Sequence, residues 1–81
     1  MNDVVEMLIN EKFDDVELSL NYKVKDCEVF EYFINGDKWL RCIVFDNRVI
    51  IMKKDEFYGE VVKNVCNNDD DLKEVIDSLY D

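Results

Sequence analysis

The sequence has no histidine and no proline, and it has only two glycines, Gly36 and Gly59. Without histidine it lacks the side chain that most often acts as a general base. It also lacks a glycine-rich phosphate-binding loop, and neither of its two serines, Ser19 and Ser78, stands in a nucleophile elbow. We therefore predict that the protein is not an enzyme and binds no cofactor. Without proline, the chain fits regular elements joined by tight turns.

Long apolar runs are also missing. No run approaches the roughly 18 residues of a membrane-spanning helix. Acidic Asp3 and Glu6 stand where a secretory signal would be basic. We therefore expect a cytoplasmic protein without a membrane partner. Its 81 residues, 48% of them apolar, predict a single domain over residues 1–81.

Cysteine is scarce and unpatterned: Cys27, Cys42 and Cys66 form an odd set without a C-x-x-C pair. We predict three buried free thiols that act as small apolar residues. A disulfide between Cys27 and Cys42 is an alternative that a reducing compartment disfavours. A zinc site would need carboxylate help, and the acidic run Asp69–Asp71 lacks the calcium-loop spacing, so no metal site is predicted.

Positive charge is also scarce, because twenty acidic residues face ten basic ones, for a net charge of −10. Residues 1–37 carry net −7, residues 38–54 carry net +4, and residues 55–81 carry net −7. This balance disfavours nucleic acid as a direct partner and favours a basic protein.

The stretch from Cys27 to Lys53 organises the rest of the chain. It holds three apolar runs separated by Asn35-Gly36 and by Asp46-Asn47, which predict an antiparallel meander, since these residues tolerate positive φ. With two-residue loops, Ile34 would lie opposite Asp37, and Phe45 would lie opposite Arg48. One face would then be rich in aromatic residues and need a cover: Phe30, Tyr32, Ile34, Trp39, Ile43, Phe45, Ile50 and Met52. The opposite face would carry Cys27, Val29, Phe33, Leu40, Cys42, Val44, Val49 and Ile51. A register slipped by a bulge is the alternative.

Helical spacing of apolar residues predicts a first helix over residues 3–12. Residues 16–23 alternate, which predicts a strand with Val16, Leu18, Leu20 and Tyr22 on one face. Residues 55–66 predict a helix capped by Asp55, with a fifth strand as the alternative, and Asp69 or Asp70 would cap a last helix. The fold class is therefore α+β: an N-terminal helix, a meander of about four strands, and one or two C-terminal helices packed on one sheet face.

The last helix carries the pattern with most bearing on function. Asp70, Glu74, Asp77 and Asp81 recur at helical spacing and would form a row about 5–6 Å apart along the axis. Since a DNA strand presents one charge per about 3.4 Å, such a row could imitate a phosphate backbone. The alternative is an ordinary solvated face. The predicted partner-binding residues are Asp14, Asp15, Glu17, Asp37, Glu56, Glu60, Asp69, Asp70, Asp71, Glu74 and Asp77.

In size, acidity and order of elements, the chain resembles the small phage-encoded inhibitors of bacterial defence, in particular the anti-CRISPR proteins. The resemblance covers the outline of the whole chain. It implies an acidic α+β domain that blocks the nucleic-acid site of a basic nuclease as a DNA mimic, in the host cytoplasm if a phage encodes it. One stretch departs from a uniform mimic, because the central hairpin is basic: Lys38, Arg41, Arg48, Lys53 and Lys54.

Two other functions fit the same sequence. An immunity protein or antitoxin that neutralises a basic toxin nuclease would use the same charge physics with a dedicated partner. A homodimeric structural or regulatory domain would instead use the aromatic sheet face.

Overall fold

Five antiparallel strands form one sheet, in chain order, in the computed structural model, which describes residues 2–55 and 57–80. The elements are α1 (Asn2–Lys12), β1 (Val16–Val24), β2 (Cys27–Ile34), β3 (Lys38–Phe45), β4 (Val49–Lys54), β5 (Val61–Cys66) and α2 (Asp69–Asp77). The predicted α+β class, with an N-terminal helix and an antiparallel meander, is confirmed. The sheet has five strands instead of about four, and one helix follows it within the described residues.

The predicted helix over residues 55–66 is wrong, and the alternative fifth strand is correct. Asp55 was predicted to cap this helix. Instead, its carboxylate accepts hydrogen bonds from the N–H groups of Phe57 (2.8 Å) and Tyr58 (2.9 Å) in a turn. Gly59 ends that turn at φ +69°, where side chains are disfavoured. Val61 then pairs with Lys54 in the sheet. Three valines in this stretch favour a strand over a helix, because β-branched side chains fit the pleated surface.

The turn between β2 and β3 contains the predicted residues but not the predicted register. Asn35 and Gly36 have φ of 54° and 85°, as expected. However, Ile34 pairs with Lys38, so the predicted pairing of Ile34 with Asp37 is wrong and the loop has three residues. The predicted pairing of Phe45 with Arg48 is confirmed by a 2.9 Å hydrogen bond from the Phe45 N–H to the Arg48 carbonyl.

This one-residue shift exchanges the two faces of β2 relative to β3, because side chains alternate along a strand. Phe30, Tyr32 and Ile34 therefore do not share a face with Trp39. They join the core with the buried side chains Leu40, Cys42, Val44, Val49, Ile51 and Cys66. Both helices cover this face, as predicted: α1 buries Val5 and Ile9, and α2 buries Leu72 and Ile76.

Strand β1 changes face along its length. An irregularity between Leu18 and Leu20 shifts its pairing with β2, so that Leu20, Tyr22 and Val24 lie opposite Glu31, Val29 and Cys27. The prediction that Leu18 and Leu20 share a face is therefore wrong. Bulges of this kind are common at sheet edges, and β1 is an edge strand whose residues after Val16 are all exposed.

Helix α2 begins one or two residues earlier than predicted, so the prediction that Asp69 or Asp70 caps it is wrong. Asn68 is the N-cap, with extended backbone, and its side-chain oxygen accepts the Asp71 N–H at 2.8 Å. Three acidic residues then occupy the first turn, where the helix dipole stabilises negative charge.

The three cysteines differ in exposure. Cys42 and Cys66 are buried, as predicted, but Cys27 is half-buried, so the prediction is wrong for that residue. Cys27 lies opposite Phe45 and Cys42 lies opposite Phe30, which places the two thiols on opposite faces of the sheet. A disulfide between them would need side chains that point toward each other, so the pairing is excluded in this fold.

The exposure difference predicts an order of thiol reactivity. In native buffer, one thiol per chain, that of Cys27, is expected to react with a thiol reagent at least tenfold faster than the others. Burial raises the pKa of Cys42 and of Cys66, which lowers their reactive thiolate fraction. Mass spectrometry of peptides after timed labelling measures the order, with denatured protein as the control in which all three react alike. Equal labelling of the three in native buffer would contradict the assignment.

The same burial predicts a loss of stability at alkaline pH. Burial raises the pKa values of Cys42, Cys66 and Tyr32, so the native state keeps protons that the unfolded chain loses above about pH 8.5 for cysteine and pH 10 for tyrosine. The free energy of unfolding should therefore fall as pH rises above about 9, by at most about 1.4 kcal/mol per pH unit for each group. Urea unfolding under reducing conditions at pH 7.5 and 10 measures the fall. The fall in the free energy of unfolding should be smaller in Cys42→Ala. Equal stability of the wild type at both pH values would contradict the prediction.

Candidate functional site

Three predicted carboxylates share one exposed face of α2. Asp70, Glu74 and Asp77 line an open depression of about 460 Å³ together with Lys73 and Ser78. All three are exposed, and within residues 2–55 and 57–80 none of their carboxylates has a hydrogen-bond or ion-pair partner. We call Asp70, Glu74 and Asp77 the acidic row. Among the described residues, Lys73 lies between these carboxylates and the Lys12 ammonium binds the Asp77 carbonyl, so three negative charges stand beside two positive ones.

Asp71 has a different role from the acidic row. It is half-buried. Its backbone N–H donates to the side-chain oxygen of Asn68, and its carboxylate accepts a hydrogen bond from the Asn67 N–H at 3.4 Å. Its charge also contributes to raising the pKa of Cys66, after the larger effect of burial. Asp71 therefore stabilises the start of α2 and is a poor candidate for contact with a partner. Asp69, in the same turn, is exposed.

A second group of predicted carboxylates lies at the end of the sheet that holds the β2–β3 turn. The Asn35 N–H binds the Asp15 carbonyl at 2.9 Å, which brings Asp14 and Asp15 to this turn and to Asp37. The β4–β5 loop reaches the same end, since Asp37 and Asp55 line one cavity of about 330 Å³. Glu60 belongs to that loop through the 2.7 Å bond from the Asp55 N–H to its carbonyl.

Helix α2 connects the two groups. Lys12 of α1 donates to the carbonyl of Asp77, and the Tyr80 hydroxyl donates to the carbonyl of Trp39 at the start of β3. These contacts place the C-terminal ends of both helices at the β2–β3 turn. The acidic row therefore runs along α2 toward Asp14, Asp15, Asp37 and Glu60.

Two predicted residues do not join this arrangement, and two lie outside the described residues. Glu17 lies opposite Phe33 and points to the sheet face away from the helices, so it is separated from the acidic row. Asp69 is exposed in the first turn of α2 but does not line the depression that holds the acidic row. Glu56 lies outside the described residues, as does Asp81, which the sequence places in the same row.

The five cations of the basic hairpin make cation–π contacts with aromatic rings. Each of its five cations lies over a ring, with distances to the ring centroid of 4.7 to 5.8 Å. The pairs are Lys38 and Lys53 with Tyr80, Arg41 and Lys54 with Trp39, and Arg48 with Phe45. Contacts of this kind stabilise by about 0.5–1 kcal/mol at exposed sites. The positive stretch therefore has a structural role over β3 and β4, while the carboxylates of α2 remain exposed.

A second surface is the side of the sheet that no described helix covers. We call it the sheet face. It differs from the predicted aromatic face, because Phe30, Tyr32 and Ile34 belong to the core and side chains of β1 and β5 are added. Its apolar members are Leu20, Tyr22, Val24, Cys27, Val29, Phe33, Trp39, Ile43, Phe45, Ile50, Met52, Val61 and Val65.

A polar cluster stands within the sheet face. The Trp39 Nε1–H donates to Glu31 Oε1 at 2.6 Å, and the Arg41 guanidinium lies 3.3 Å from the same oxygen. Arg41 also covers the Trp39 ring, with 5.4 Å between the guanidinium carbon and the ring centroid. The Arg41 Nε atom is buried without a hydrogen-bond partner in the described part of the chain. Sequence reasoning missed this cluster, although single charges inside apolar strand runs were a signal for it.

Neither described helix is long and apolar enough to cross a membrane. Among the described residues, no group of three or more acidic or cysteine side chains could hold a metal ion. Comparisons with protein-family models, curated proteins and solved structures find no match to this chain.

Proposed function

We propose that this protein is an acidic interaction protein that binds a basic nucleic-acid-binding protein, such as a CRISPR nuclease, and blocks its nucleic-acid site by charge imitation. The observation that carries this proposal is the acidic row. Asp70, Glu74 and Asp77 hold three exposed carboxylates on one helix face, about 4.5–6 Å apart along the axis, without a partner among the described residues. A basic groove that binds phosphates would meet charges of similar sign and spacing here.

The distribution of the remaining charge supports the same proposal. The hairpin cations lie over aromatic rings, and the acidic row leads to further carboxylates at the β2–β3 turn. A net charge of −10 on 81 residues produces a long-range field that steers basic proteins toward this surface. Such steering raises association rates and weakens with salt.

Affinity capture tests this proposal. The protein, immobilised through its N-terminus, is incubated with bacterial lysate at about 0.1 M and about 1 M salt, where the screening length falls from about 10 Å to about 3 Å. We expect a basic nucleic-acid-binding protein that is retained at low salt and released at high salt or by added DNA.

The matched control is the variant in which Asp70, Glu74 and Asp77 are all replaced by lysine. It should retain much less of the same protein at low salt. Capture of an acidic protein, or of a partner held equally well by the variant, would contradict charge imitation by the acidic row.

A further inference from the structure

The sheet face is a large apolar surface on a small protein. Five of its side chains are strongly exposed: Leu20 (43%), Tyr22 (43%), Val24 (54%), Val61 (49%) and Val65 (52%). Between them lie half-buried residues of the inner strands, including Phe33, Ile43 and Ile50. Contiguous apolar surfaces of this kind usually mark interaction sites.

The charge of the sheet face identifies a fitting occupant. Its charged members are Glu17, Glu31, Arg41, Lys54 and Lys63, with Arg48 over the Phe45 ring, so the face carries about +2, whereas the chain carries −10. Two acidic copies that met through their helices would press like charges together. Through the sheet face they would bury apolar area and keep their acidic rows on opposite outer sides. A strongly basic partner finds no matching charge here.

The polar cluster fits a two-fold contact. Glu31 and Arg41 lie on β2 and β3, near the middle of the sheet, and their side chains are 14% and 35% exposed. Arg41 Nε is a buried donor without a partner, which is rare in folded proteins. In a two-fold interface each copy presents both members of the pair to the other. The Arg41 Nε atom is buried within one copy, but the side chain as a whole is 35% exposed, so a carboxylate from a second copy could reach the exposed N–H groups of its guanidinium.

The size of the sheet face is sufficient for a small specific interface. Five strands about 4.8 Å apart, paired over about six residues of about 3.3 Å each, span roughly 20 by 20 Å, or about 400 Å² in projection. Specific interfaces bury about 800 Å² of accessible surface per partner. Side-chain relief makes accessible surface larger than its projection, so the face reaches the low end of specific interfaces. Buried area alone does not set affinity, but an interface at the low end of the specific range fits a reversible dimer.

We propose that two copies of this protein form a symmetric homodimer through their sheet faces, with Ile43 and the Glu31–Arg41 pair near the two-fold axis. The helices and their carboxylates remain on the outside. The dimer is independent of the proposed function, since the two use opposite sides of the molecule.

Sedimentation velocity of the intact protein from 1 to 300 µM tests the dimer. The key variant is Ile43→Lys, in the middle strand, and the matched control is Met7→Lys, on an α1 side chain that is 51% exposed. Both substitutions change the net charge from −10 to −9, so general repulsion between copies falls equally. We expect wild type and Met7→Lys to dimerise alike, and Ile43→Lys to raise the dissociation constant at least tenfold. Equal dimerisation of all three proteins would overturn the proposed interface.

Two further measurements keep the test decisive if Ile43→Lys folds poorly. Val65→Lys changes a side chain that is already 52% exposed and should weaken the dimer without unfolding the chain. Trp39, the only tryptophan, lies on the sheet face, so its quenching by acrylamide should decrease as wild-type concentration rises through the dissociation constant.

Salt separates this proposal from the proposed function. Screening relieves repulsion between two acidic copies, so dimerisation should strengthen between about 0.1 M and 1 M salt, whereas binding of a basic protein should weaken. A wild-type protein that stays monomeric at 300 µM at both salt concentrations would overturn the dimer. The sheet face would then belong to a different protein.

Discussion

Replacing Asp70, Glu74 and Asp77 together by lysine is expected to slow association with a basic nuclease by about two orders of magnitude at 0.1 M salt. Electrostatic steering raises association rates by about 10 to 10³, and these three substitutions change the net charge from −10 to −4 while reversing the acidic row itself. Stopped-flow or surface plasmon resonance measures the rate constant. The dissociation rate should rise as well, because the variant lacks the carboxylates that would occupy the phosphate-binding positions of the nuclease.

The folded state should tolerate this change. The three side chains are exposed, and no described hydrogen bond depends on their carboxylates. Lysine at position 70 is unfavourable near the helix N-terminus by about 0.3–1 kcal/mol, and lysine at position 77 is favourable near the C-terminus by a similar amount. The melting temperature should therefore change by only a few degrees.

A matched control separates the acidic row from net charge. Asp3, Glu6 and Glu11 are exposed on α1, and their joint replacement by lysine also gives a net charge of −4. We expect this variant to lose about tenfold or less of the association rate. If the α2 variant associates as fast as wild type, or if both variants lose rate equally, the acidic row is not the contact surface.

Replacing Leu40 by alanine is expected to lower the free energy of unfolding by about 2–5 kcal/mol. Leu40 is fully buried in the middle strand, paired with Tyr32 and Lys53 and covered by the helices. Domains of this size are stable by about 5–15 kcal/mol, so the variant should lose a large part of the total. Each kcal/mol corresponds to about 4–8 °C in melting temperature.

Leu18→Ala is the control for this prediction, because it makes the same chemical change on β1. Leu18 is 51% exposed, so we expect a loss below about 1 kcal/mol. Urea unfolding of both variants measures the difference. Equal losses would mean that Leu40 is not in the core and that the register of β2 and β3 is incorrect.

The sequence predicted the positions of the turns better than their register. Asn35 and Gly36 do adopt positive φ, but that property allows a loop of two or three residues, and the two choices differ by one residue in pairing. The alternation of apolar and polar residues could not decide between these two registers, because both faces of β3 are apolar. Leu40 and Cys42 lie on one face, and Trp39 and Ile43 lie on the other. Only the packing of both helices against one face selects the observed register.

The fifth strand shows a related ambiguity. The spacing of Val61, Val62 and Val65 fits both a helix and a strand. The strand forms because β5 pairs with β4, and this pairing cannot be read from local spacing. In contrast, the acidic row depends only on spacing within one helix, and the sequence predicted that Asp70, Glu74 and Asp77 share one helix face. The structural role of Asp71 required the Asn67–Asn68 cap, and the pairing of hairpin cations with Trp39 and Tyr80 required the folded arrangement of β3, β4 and α2.

A competition titration tests charge imitation most directly. The purified partner, loaded with a fluorescent DNA duplex, is titrated with this protein at several DNA concentrations, and anisotropy reports the DNA that remains bound. If the acidic row occupies the nucleic-acid site, the DNA is displaced completely, and the apparent dissociation constant of the protein rises in proportion to the DNA concentration. A ternary complex, in which partner, DNA and this protein remain together at saturation, would contradict the proposed function.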